Sequence, residues 1–141
     1  MIEFYNGVIA MLPANLKSHI IYPKLSSPPV LADYPYVLLW GSPGDEFSGE
    51  PGAASLGDRL DGKEFRFKAT YVGANAEALS IVLKRCRLAW NRQTPVVPGY
   101  RCDKLRQSSL MDAQADTDVT LSSGNHPLFA VDEYVLVASS L

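Results

Sequence analysis

Two stretches of the chain carry hydrophobic residues at the three- and four-residue spacing of an amphipathic helix. In the first, 2–12, Gly7 lowers the helix propensity and Pro13 ends the pattern. In the second, Asn75 is a good N-cap and the pattern continues to Asn91. The apolar face of the second helix consists of Leu79, Val82, Leu83, Cys86, Ala89 and Trp90. The spacing therefore predicts helices over 2–12 and 76–91.

Other stretches have the composition or the alternation of β-strands. The predicted strands are His19–Tyr22, Tyr36–Trp40, Glu64–Val72, Lys104–Asp112 and Leu128–Ser139. In the last strand the face predicted from the apolar residues consists of Phe129, Val131, Val135 and Val137. Asp132 and Glu133 interrupt that apolar run, which predicts a bulge or a sheet edge at this point.

Between Gly41 and Gly62 glycine and proline are too frequent for a packed element. Loops of this length are uncommon in compact domains and are often functional or disordered. Two interpretations stay open: an arm that orders against a partner, and a surface loop with scattered apolar residues. The residues predicted to contact a partner in the first case are Phe47, Leu56, Arg59 and Leu60.

This order of elements predicts an α+β fold with a mostly antiparallel sheet of four to five strands and two helices packed on one face. A chain of 141 residues has the usual size of one domain, so we expect a single domain over 1–141 with a long loop at 41–62. The start of the chain has no signal-peptide pattern, and no apolar run approaches the length of a membrane span.

The charge balance argues against a general affinity for nucleic acid, since 13 basic and 15 acidic residues give a net charge of −2. Basic residues do gather locally, over 84–92 and again over 101–106. Such runs are more often the solvated face of a helix and its exit loop than a nucleic-acid patch. Cys86 and Cys102 are predicted to be two free thiols, although their spacing leaves a disulfide open.

Candidate catalytic residues are few. The two histidines, His19 and His126, have no nucleophile elbow to accompany them. Cys86 lies on an apolar helix face, whereas Cys102, between Arg101 and Lys104, is a candidate for a lowered pKa. No zinc spacing or phosphate-binding loop is present. We therefore expect neither an enzyme nor a cofactor.

One group of carboxylates keeps a metal-dependent enzyme open as a distant alternative. Asp112, Asp116 and Asp118 would supply the oxygen ligands that hard cations prefer. The segment lacks the glycine and the terminal glutamate of an EF-hand loop, and a hydrolase would need a further ligand from elsewhere. The favoured interpretation of these three residues is a solvated strand end.

The order of motifs resembles the tail terminator proteins of long-tailed bacteriophages, especially those of actinobacterial phages. The motifs are Ile21-Tyr22-Pro23 after an N-terminal helix, Tyr34-Pro-Tyr-Val-Leu-Leu-Trp-Gly, Leu56-Gly-Asp-Arg-Leu-Asp-Gly at the end of the loop, Val72-Gly-Ala-Asn-Ala-Glu-Ala-Leu and Val131-Asp-Glu-Tyr-Val-Leu. Together they span nearly the whole chain, and their order rather than any single motif carries the resemblance.

The resemblance implies a structural virion protein with an α+β fold, without cofactor or reaction. Such proteins form a hexameric ring on the finished tail tube, stop its polymerisation and present a surface to the neck of the head. The implied partners are copies of the chain itself, the tail-tube protein and a head-completion protein, with no membrane and no specific nucleic acid. The implied location is the head-proximal end of the tail. The family has no strict motif of functional residues to carry over.

Three alternatives accompany this prediction. Within the same class, the chain could be a head-completion or neck protein or another minor tail protein. From other classes, it could be the metal-dependent enzyme described above, or it could bind nucleic acid through Arg85, Arg87, Arg92, Arg101 and Arg106.

Overall fold

A computed structural model describes residues 2–14, 16–20, 35–41, 45–46, 62–121 and 123–141. The elements in chain order are α1 (Ile2–Ile9), β1 (Lys17–Ile20), β2 (Tyr36–Trp40), β3 (Asp45–Glu46), β4 (Gly62–Gly73), α2 (Ala76–Trp90), β5 (Tyr100–Cys102), β6 (Arg106–Ala115) and β7 (Leu128–Ser140). The predicted α+β class, with a mostly antiparallel sheet and two helices, is confirmed.

The sheet is built around β4 and β7, which pair antiparallel from Gly62↔Ser139 to Gly73↔Leu128. The main strand order is β1-β2-β4-β7-β5, with β1 parallel to β2. β3 joins β4 on the same side as β2, and β6 joins β7 on the same side as β5. The five predicted strands correspond to β1, β2, β4, β6 and β7, and the short strands β3 and β5 were not predicted.

β3 lies inside the segment that was predicted to contain no packed element, and that prediction is wrong for its two residues. β2 pairs with β4 only between Lys68 and Val72, so the first half of β4 would have unpaired backbone groups on that side. Asp45 and Glu46 supply partners there. Buried or half-buried backbone groups need such partners, which explains a short strand in a polar, glycine-rich stretch.

Both helices pack on the same face of the sheet, where aromatic rings form the centre of the core. Phe4 of α1 stacks on Phe65, with 5.3 Å between ring centroids, and Trp90 of α2 packs edge-on to Phe67 at 5.3 Å. The Trp90 indole Nε1 donates to the Val8 carbonyl, 2.8 Å away, which joins the ends of the two helices. A buried indole N–H normally needs such a partner.

α1 is shorter than predicted, because its regular turns stop at Ile9. Met11 and Leu12 donate to carbonyls three residues back, at 3.2 and 3.0 Å, so the chain tightens before Pro13. Gly7 has a packing reason: a Cβ there would lie 3.0 Å from the Val96 carbonyl oxygen. The glycine that lowers the helix propensity thus lets α1 approach the chain after α2.

α2 agrees with the prediction at both ends. The Asn75 side chain accepts from the Ala78 N–H at 2.8 Å, and Asn91 is the C-cap. The helix lies so close to the end of β4 that a Cβ at Gly73 would meet the backbone of Ala78 and Leu79. Its buried side chains, Leu79, Val82, Cys86 and Trp90, belong to the predicted apolar face.

Of the two predictions for Asp132 and Glu133, a sheet edge is wrong, whereas a bulge is present in the partner strand: the register of β6 shifts between Ser109↔Asp132 and Met111↔Val131. β7 is paired on both sides there, with β4 without interruption and with β6 at Ser109↔Asp132. The buried face of β7 is Ala130, Asp132, Tyr134, Leu136 and Ala138. The valines chosen as the predicted face alternate with these residues, so a charged residue belongs to the core face and valines to the opposite one.

β6 also differs from the predicted strand Lys104–Asp112, since it runs from Arg106 to Ala115. The chain leaves the sheet between β5 and β6, where the Arg92 N–H donates to Leu105 O and Leu105 N–H donates to Gln93 O, both at 2.9 Å. Leu105 is fully buried in this position. A buried leucine therefore splits one edge into two strands.

Candidate functional site

The candidate catalytic histidine with a described side chain has a local structural role. His126 lies in an exposed turn, and its Nδ1 is 2.7 Å from the Val119 carbonyl oxygen. For His19, in β1, only the backbone is described. His126 therefore closes the turn between β6 and β7, and no nucleophile is placed beside it among the described contacts.

Both cysteines are free thiols, as predicted. Cys86 is buried in the core, and burial raises its pKa to about 12. Cys102 is half-buried, and burial raises its pKa as well, although a hydrogen bond with the Val97 backbone acts in the opposite direction. The prediction of a lowered Cys102 pKa is wrong, because desolvation of the half-buried thiol outweighs the hydrogen bond with Val97.

The three aspartates of the metal alternative do not form a metal site. Asp112 is an exposed residue of β6, while Asp116 and Asp118 share a turn in which the Asp118 N–H donates to Asp116 Oδ1 at 3.2 Å. Within the described ranges, no group of three histidine, cysteine, aspartate or glutamate side chains could hold a metal ion.

The most strongly organised polar cluster surrounds Asp132, whose side chain is 1 % exposed. Arg87 of α2 binds it with two hydrogen bonds of 2.7 Å, from Nε to Oδ2 and from a terminal guanidinium nitrogen to Oδ1. Tyr71 donates to Oδ2 at 2.8 Å, and Gln107 Nε2 donates to Oδ1 at 3.2 Å. Each carboxylate oxygen thus accepts two hydrogen bonds, which is what a buried charge requires.

The electrostatics of this cluster favour neutral phenols beside a charged pair. Burial, followed by the neighbouring Tyr134 and Asp132, raises the pKa of Tyr71. Burial also raises the pKa of Tyr134, whose hydroxyl is 2.8 Å from that of Tyr71. The hydrogen bonds with Asp132 raise the pKa of Arg87. Because the polar groups of the cluster are hydrogen-bonded to one another, the cluster connects α2, β4, β6 and β7 and stabilises the fold.

Among the helices and strands whose burial is described, β6 is the most exposed, and it lies at one edge of the sheet. Nine of its ten residues are exposed, and in the described part of the chain it pairs with β7 alone. Two of its exposed side chains, Leu110 and Met111, are large and hydrophobic. An exposed strand with an unpaired backbone edge is a surface on which another chain can add a strand.

Two irregularities limit how another strand could pair with this edge. Register shifts occur between Ser109 and Met111 and between Met111 and Gln114, and each adds one residue to β6 relative to β7. Bulges of this kind twist an edge and oppose indiscriminate strand addition. The regular portion that remains is 106–109, at the start of β6.

Basic residues from two separate sequence runs meet at this same edge. The hydrogen bonds that join Arg92 and Gln93 to Leu105 bring the end of α2 beside β5 and β6. We call the resulting exposed surface the basic edge and define it as Arg92, Arg101, Lys104 and Arg106. No ion pair between described residues engages these four side chains, whereas Arg66 and Arg87 both have acidic partners. The basic edge therefore has charge available for a partner.

The predicted assembly residues Phe47, Leu56, Arg59 and Leu60 lie outside the described residues. The features missed by sequence reasoning are the Asp132 cluster and the exposed edge. A signal for the cluster was present in the sequence. Asp132 is separated from Tyr134 and Leu136 by even numbers of residues, and such residues lie on the same face of a strand. No local signal could have shown that Arg87, 45 residues away, is its partner.

Comparison of the sequence with protein-family models finds no match, and comparison with curated proteins finds no significant similarity. Neither helix in the described part of the chain has the length and apolar character needed to cross a membrane.

Proposed function

We propose that this chain is a structural virion protein, a phage tail terminator. In this proposal it forms a ring that caps the tail tube, stops polymerisation of the tube protein and provides the surface to which the neck of the head joins. The resemblance of its motif order is the starting point. The observation that carries the proposal is β6, an exposed strand of ten residues at one edge of the sheet. The opposite edge of the sheet is formed by other strands, so the two edges offer different surfaces.

A closed ring requires a contact between two different surfaces of the same chain. In the described part of the chain, one edge of the sheet is formed by β5 and β6, and the opposite edge is formed by β1 and β3. The two edges differ in sequence, length and charge, so a contact between them cannot be two-fold symmetric. Repetition of such a contact around an axis gives a ring, as the proposal requires.

The interior of the subunit is suited to a structural role, in which the protein works through contacts at its surface. Its central side chains are close-packed aromatic rings, and its one buried charged residue among those described, Asp132, is held by four hydrogen bonds. A subunit of this kind presents its edges in fixed positions, which lowers the entropic cost of assembly.

The test is polymerisation of a cognate tail-tube protein with and without this protein, followed by negative-stain electron microscopy. We expect the protein to bind at one end of each tube and to hold tube length at a value that falls as more protein is added. The variant Leu110→Lys with Met111→Lys should abolish capping, because it replaces the two large exposed hydrophobic side chains of β6 with charges that oppose association at this edge.

The matched control is Ile81→Lys with Leu88→Lys, which makes the same chemical change at two exposed hydrophobic residues of α2. We expect this control to cap tubes as the wild type does. Wild-type protein that leaves tube growth unchanged contradicts the proposal. If such a protein instead binds purified heads, the head-completion or neck role takes its place.

A further inference from the structure

The exposed edge around β6 divides into a basic start, an apolar middle and an acidic end. The start is the basic edge defined above, whose four basic residues and the neighbouring Asp103 give a net charge of +3. The middle consists of Leu110 and Met111, the two central residues of the strand, which are 47 % and 39 % exposed. The acidic end, with a charge of −3, is Asp112, Asp116 and Asp118. The sign of the charge therefore reverses along one edge.

The two charged regions do not neutralise each other within one copy. Arg106 and Asp112 are six residues apart along an extended strand, about 20 Å, which exceeds the Debye length of about 10 Å at 0.1 M salt. No lysine or arginine occurs after Arg106 in the chain. Within the described ranges, no ion pair engages the carboxylates of the acidic end, just as none engages the basic edge. Both regions therefore have charge available for a second molecule.

We propose that two copies of the chain pair through β6 about a two-fold axis, and that this dimer is the form of the free protein. Edge strands related by a two-fold axis perpendicular to the sheet run antiparallel, so the start of each faces the end of the other. The basic edge of one copy then faces the acidic end of the other, and this contact occurs twice in the dimer. A parallel pairing would instead place like charges together, and like charges repel.

The central hydrophobic residues meet in the same arrangement. When the two strands are aligned over their full length, Leu110 of each copy lies opposite Met111 of the other, on either side of the axis. Arg106 of each copy lies opposite Ala115 of the other, next to Asp116. The two large exposed side chains of each copy are thereby removed from water at the centre of the contact. The strand is thus complementary to itself in both charge and hydrophobicity.

The irregularities of β6 leave the choice of partner to its side chains. Register shifts between Ser109 and Gln114 limit regular backbone pairing to 106–109. The two-fold arrangement uses this regular portion twice, once from each copy. Because few backbone hydrogen bonds are available, the order of basic, apolar and acidic residues must supply the specificity. An arbitrary strand lacks that order, and a second copy of the chain has it by definition.

Nucleic acid and acidic peptides match only part of this edge. A duplex laid along β6 would gain contacts at the basic edge but would bring its phosphates close to Asp112 and Asp118, which are exposed and of the same sign. An acidic peptide would meet the same repulsion at that end. A second copy of the chain satisfies both ends of the edge.

The role of the dimer rests on the proposed function, although its existence does not. In the described part of the chain, β6 is paired with β7 on one side and can accept one further strand on the other. The two-fold dimer and the ring contact therefore exclude each other, because both use the free side of β6. We expect the dimer to hold the protein back from ring formation in solution until the tube end replaces one copy.

The first test is the mass of the wild-type protein by light scattering over a concentration series at low salt. We expect the mass to reach about 31 kDa, two copies of a chain of 15.4 kDa, and to stop there, because a two-fold contact closes at two copies. The dimer should weaken as salt rises toward about 1 M, where the Debye length is about 3 Å.

Two charge-reversed chains test which surfaces meet. One carries Arg101→Glu with Arg106→Glu, and the other carries Asp112→Lys with Asp118→Lys. Each variant alone should dimerise at least about tenfold more weakly than the wild type, because surfaces of like sign then face each other. A one-to-one mixture should restore the dimer, and so should a single chain with all four substitutions, because opposite charges then meet at both ends.

The matched control is Lys84→Glu with Arg85→Glu, the same charge change on the exposed face of α2, which should leave the dimer unchanged. A wild type that stays a monomer at every concentration, or reversed chains that dimerise as the wild type does, would overturn the dimer. Failure of both the mixture and the fourfold variant would show that the two charged regions do not meet. Loss of salt-sensitive binding to duplex DNA in the Arg101 and Arg106 variant, without loss of the dimer, would make the basic edge a nucleic-acid surface.

The role of the dimer is tested with tubes. The variant Asp112→Lys with Asp118→Lys keeps the basic edge and does not dimerise, so it should cap tubes at a lower total concentration than the wild type. Capping only at the same or a higher concentration would contradict the proposed role. If the wild type caps tubes without forming the dimer, this inference is wrong and the function stands. If the dimer forms and tubes grow uncapped, the dimer stands and the proposed function is wrong.

Discussion

Arginine has two opposite roles in this molecule. Arg87 reaches into the core and binds Asp132 with two short hydrogen bonds, and its side chain is about one-third exposed. Arg101 and Arg106 extend from the edge strands into solvent, with no acidic partner among the described residues. The first arginine is part of the folded structure, and the others are available to a second molecule.

This difference predicts that substitutions at Arg87 alter the stability of the fold and that substitutions at the basic edge alter assembly. Removal of one member of a buried charged pair leaves the other without its partner, which is costly. Exposed charges contribute little to folding, and their change is usually within about 0.5 kcal/mol. If the basic edge is an assembly surface, its substitutions should act on association and leave the free energy of unfolding almost unchanged.

The largest effect is expected for Arg87→Ala. Asp132 would be left in the core with only Tyr71 and Gln107 as described donors. We expect the free energy of unfolding to fall by about 3 kcal/mol, at the lower end for buried pairs because Arg87 is partly exposed. Urea unfolding measures this value. The control Arg85→Ala, two residues away and fully outside the cluster, should change it by less than about 0.5 kcal/mol, and equal effects of the two substitutions would contradict the account.

The next largest effect is expected at alkaline pH. The folded structure raises the pKa values of Tyr71 and Tyr134 above the ordinary value of 10.0, so both phenols bind their protons more tightly when folded than when unfolded. Stability from this source is complete below pH 10 and falls as the pH rises above it, at most by about 3 kcal/mol per pH unit when both phenols contribute. Circular dichroism and tyrosinate absorbance in one pH titration test this. We expect both signals to change together, and ionisation of these two tyrosines before unfolding would show the prediction to be wrong.

A smaller effect, of opposite sign, is expected for Arg92→Gly. The left-handed conformation at this position is strained for arginine and not for glycine. We expect the free energy of unfolding to rise by about 0.5–1 kcal/mol, while ring assembly weakens because the basic edge loses a charge. Thermal unfolding and assembly on tube ends are the two readouts. A variant that gains stability and assembles more tightly would argue against the basic edge as a contact surface.

The smallest effect on folding is expected for Arg101→Glu with Arg106→Glu. Both side chains are exposed, so the free energy of unfolding should stay within about 0.5 kcal/mol of the wild-type value. The same variant is expected to lose ring assembly. Urea unfolding of the purified variant therefore complements its assembly assay. A large loss of stability would contradict the proposed difference in role between the Arg87–Asp132 pair and the basic edge.

Local sequence patterns correctly predicted those helices and strands whose formation depends mainly on neighbouring residues. The helix that begins after Asn75 was predicted because its N-cap and its apolar spacing are both encoded nearby, and the strand Tyr36–Trp40 agrees with the structure at both ends. The alternation around Phe65 and Phe67 correctly predicted the face of β4 that packs against the helices.

Distant contacts account for the predictions that failed. Asp132 could not be assigned to the core from its neighbours, because a charged residue is buried only when partners from other elements reach it. The division of the predicted strand at Lys104 depends on hydrogen bonds between Leu105 and the end of α2, which no local pattern encodes. The predicted assembly residues, such as Phe47 and Leu60, lie outside the described residues, so that part of the prediction stays a prediction.

The central claim, that this chain assembles into a ring through two different edges, is tested most directly by its mass in solution and with tube protein. Light scattering over a concentration series, first alone and then with cognate tail tubes, gives that mass. Six copies of a chain of 15.4 kDa form a species of about 92 kDa, the size expected from the resemblance. The account predicts this species in solution or its formation on tube ends. A chain that stays a monomer of 15.4 kDa and ignores the tubes would contradict it.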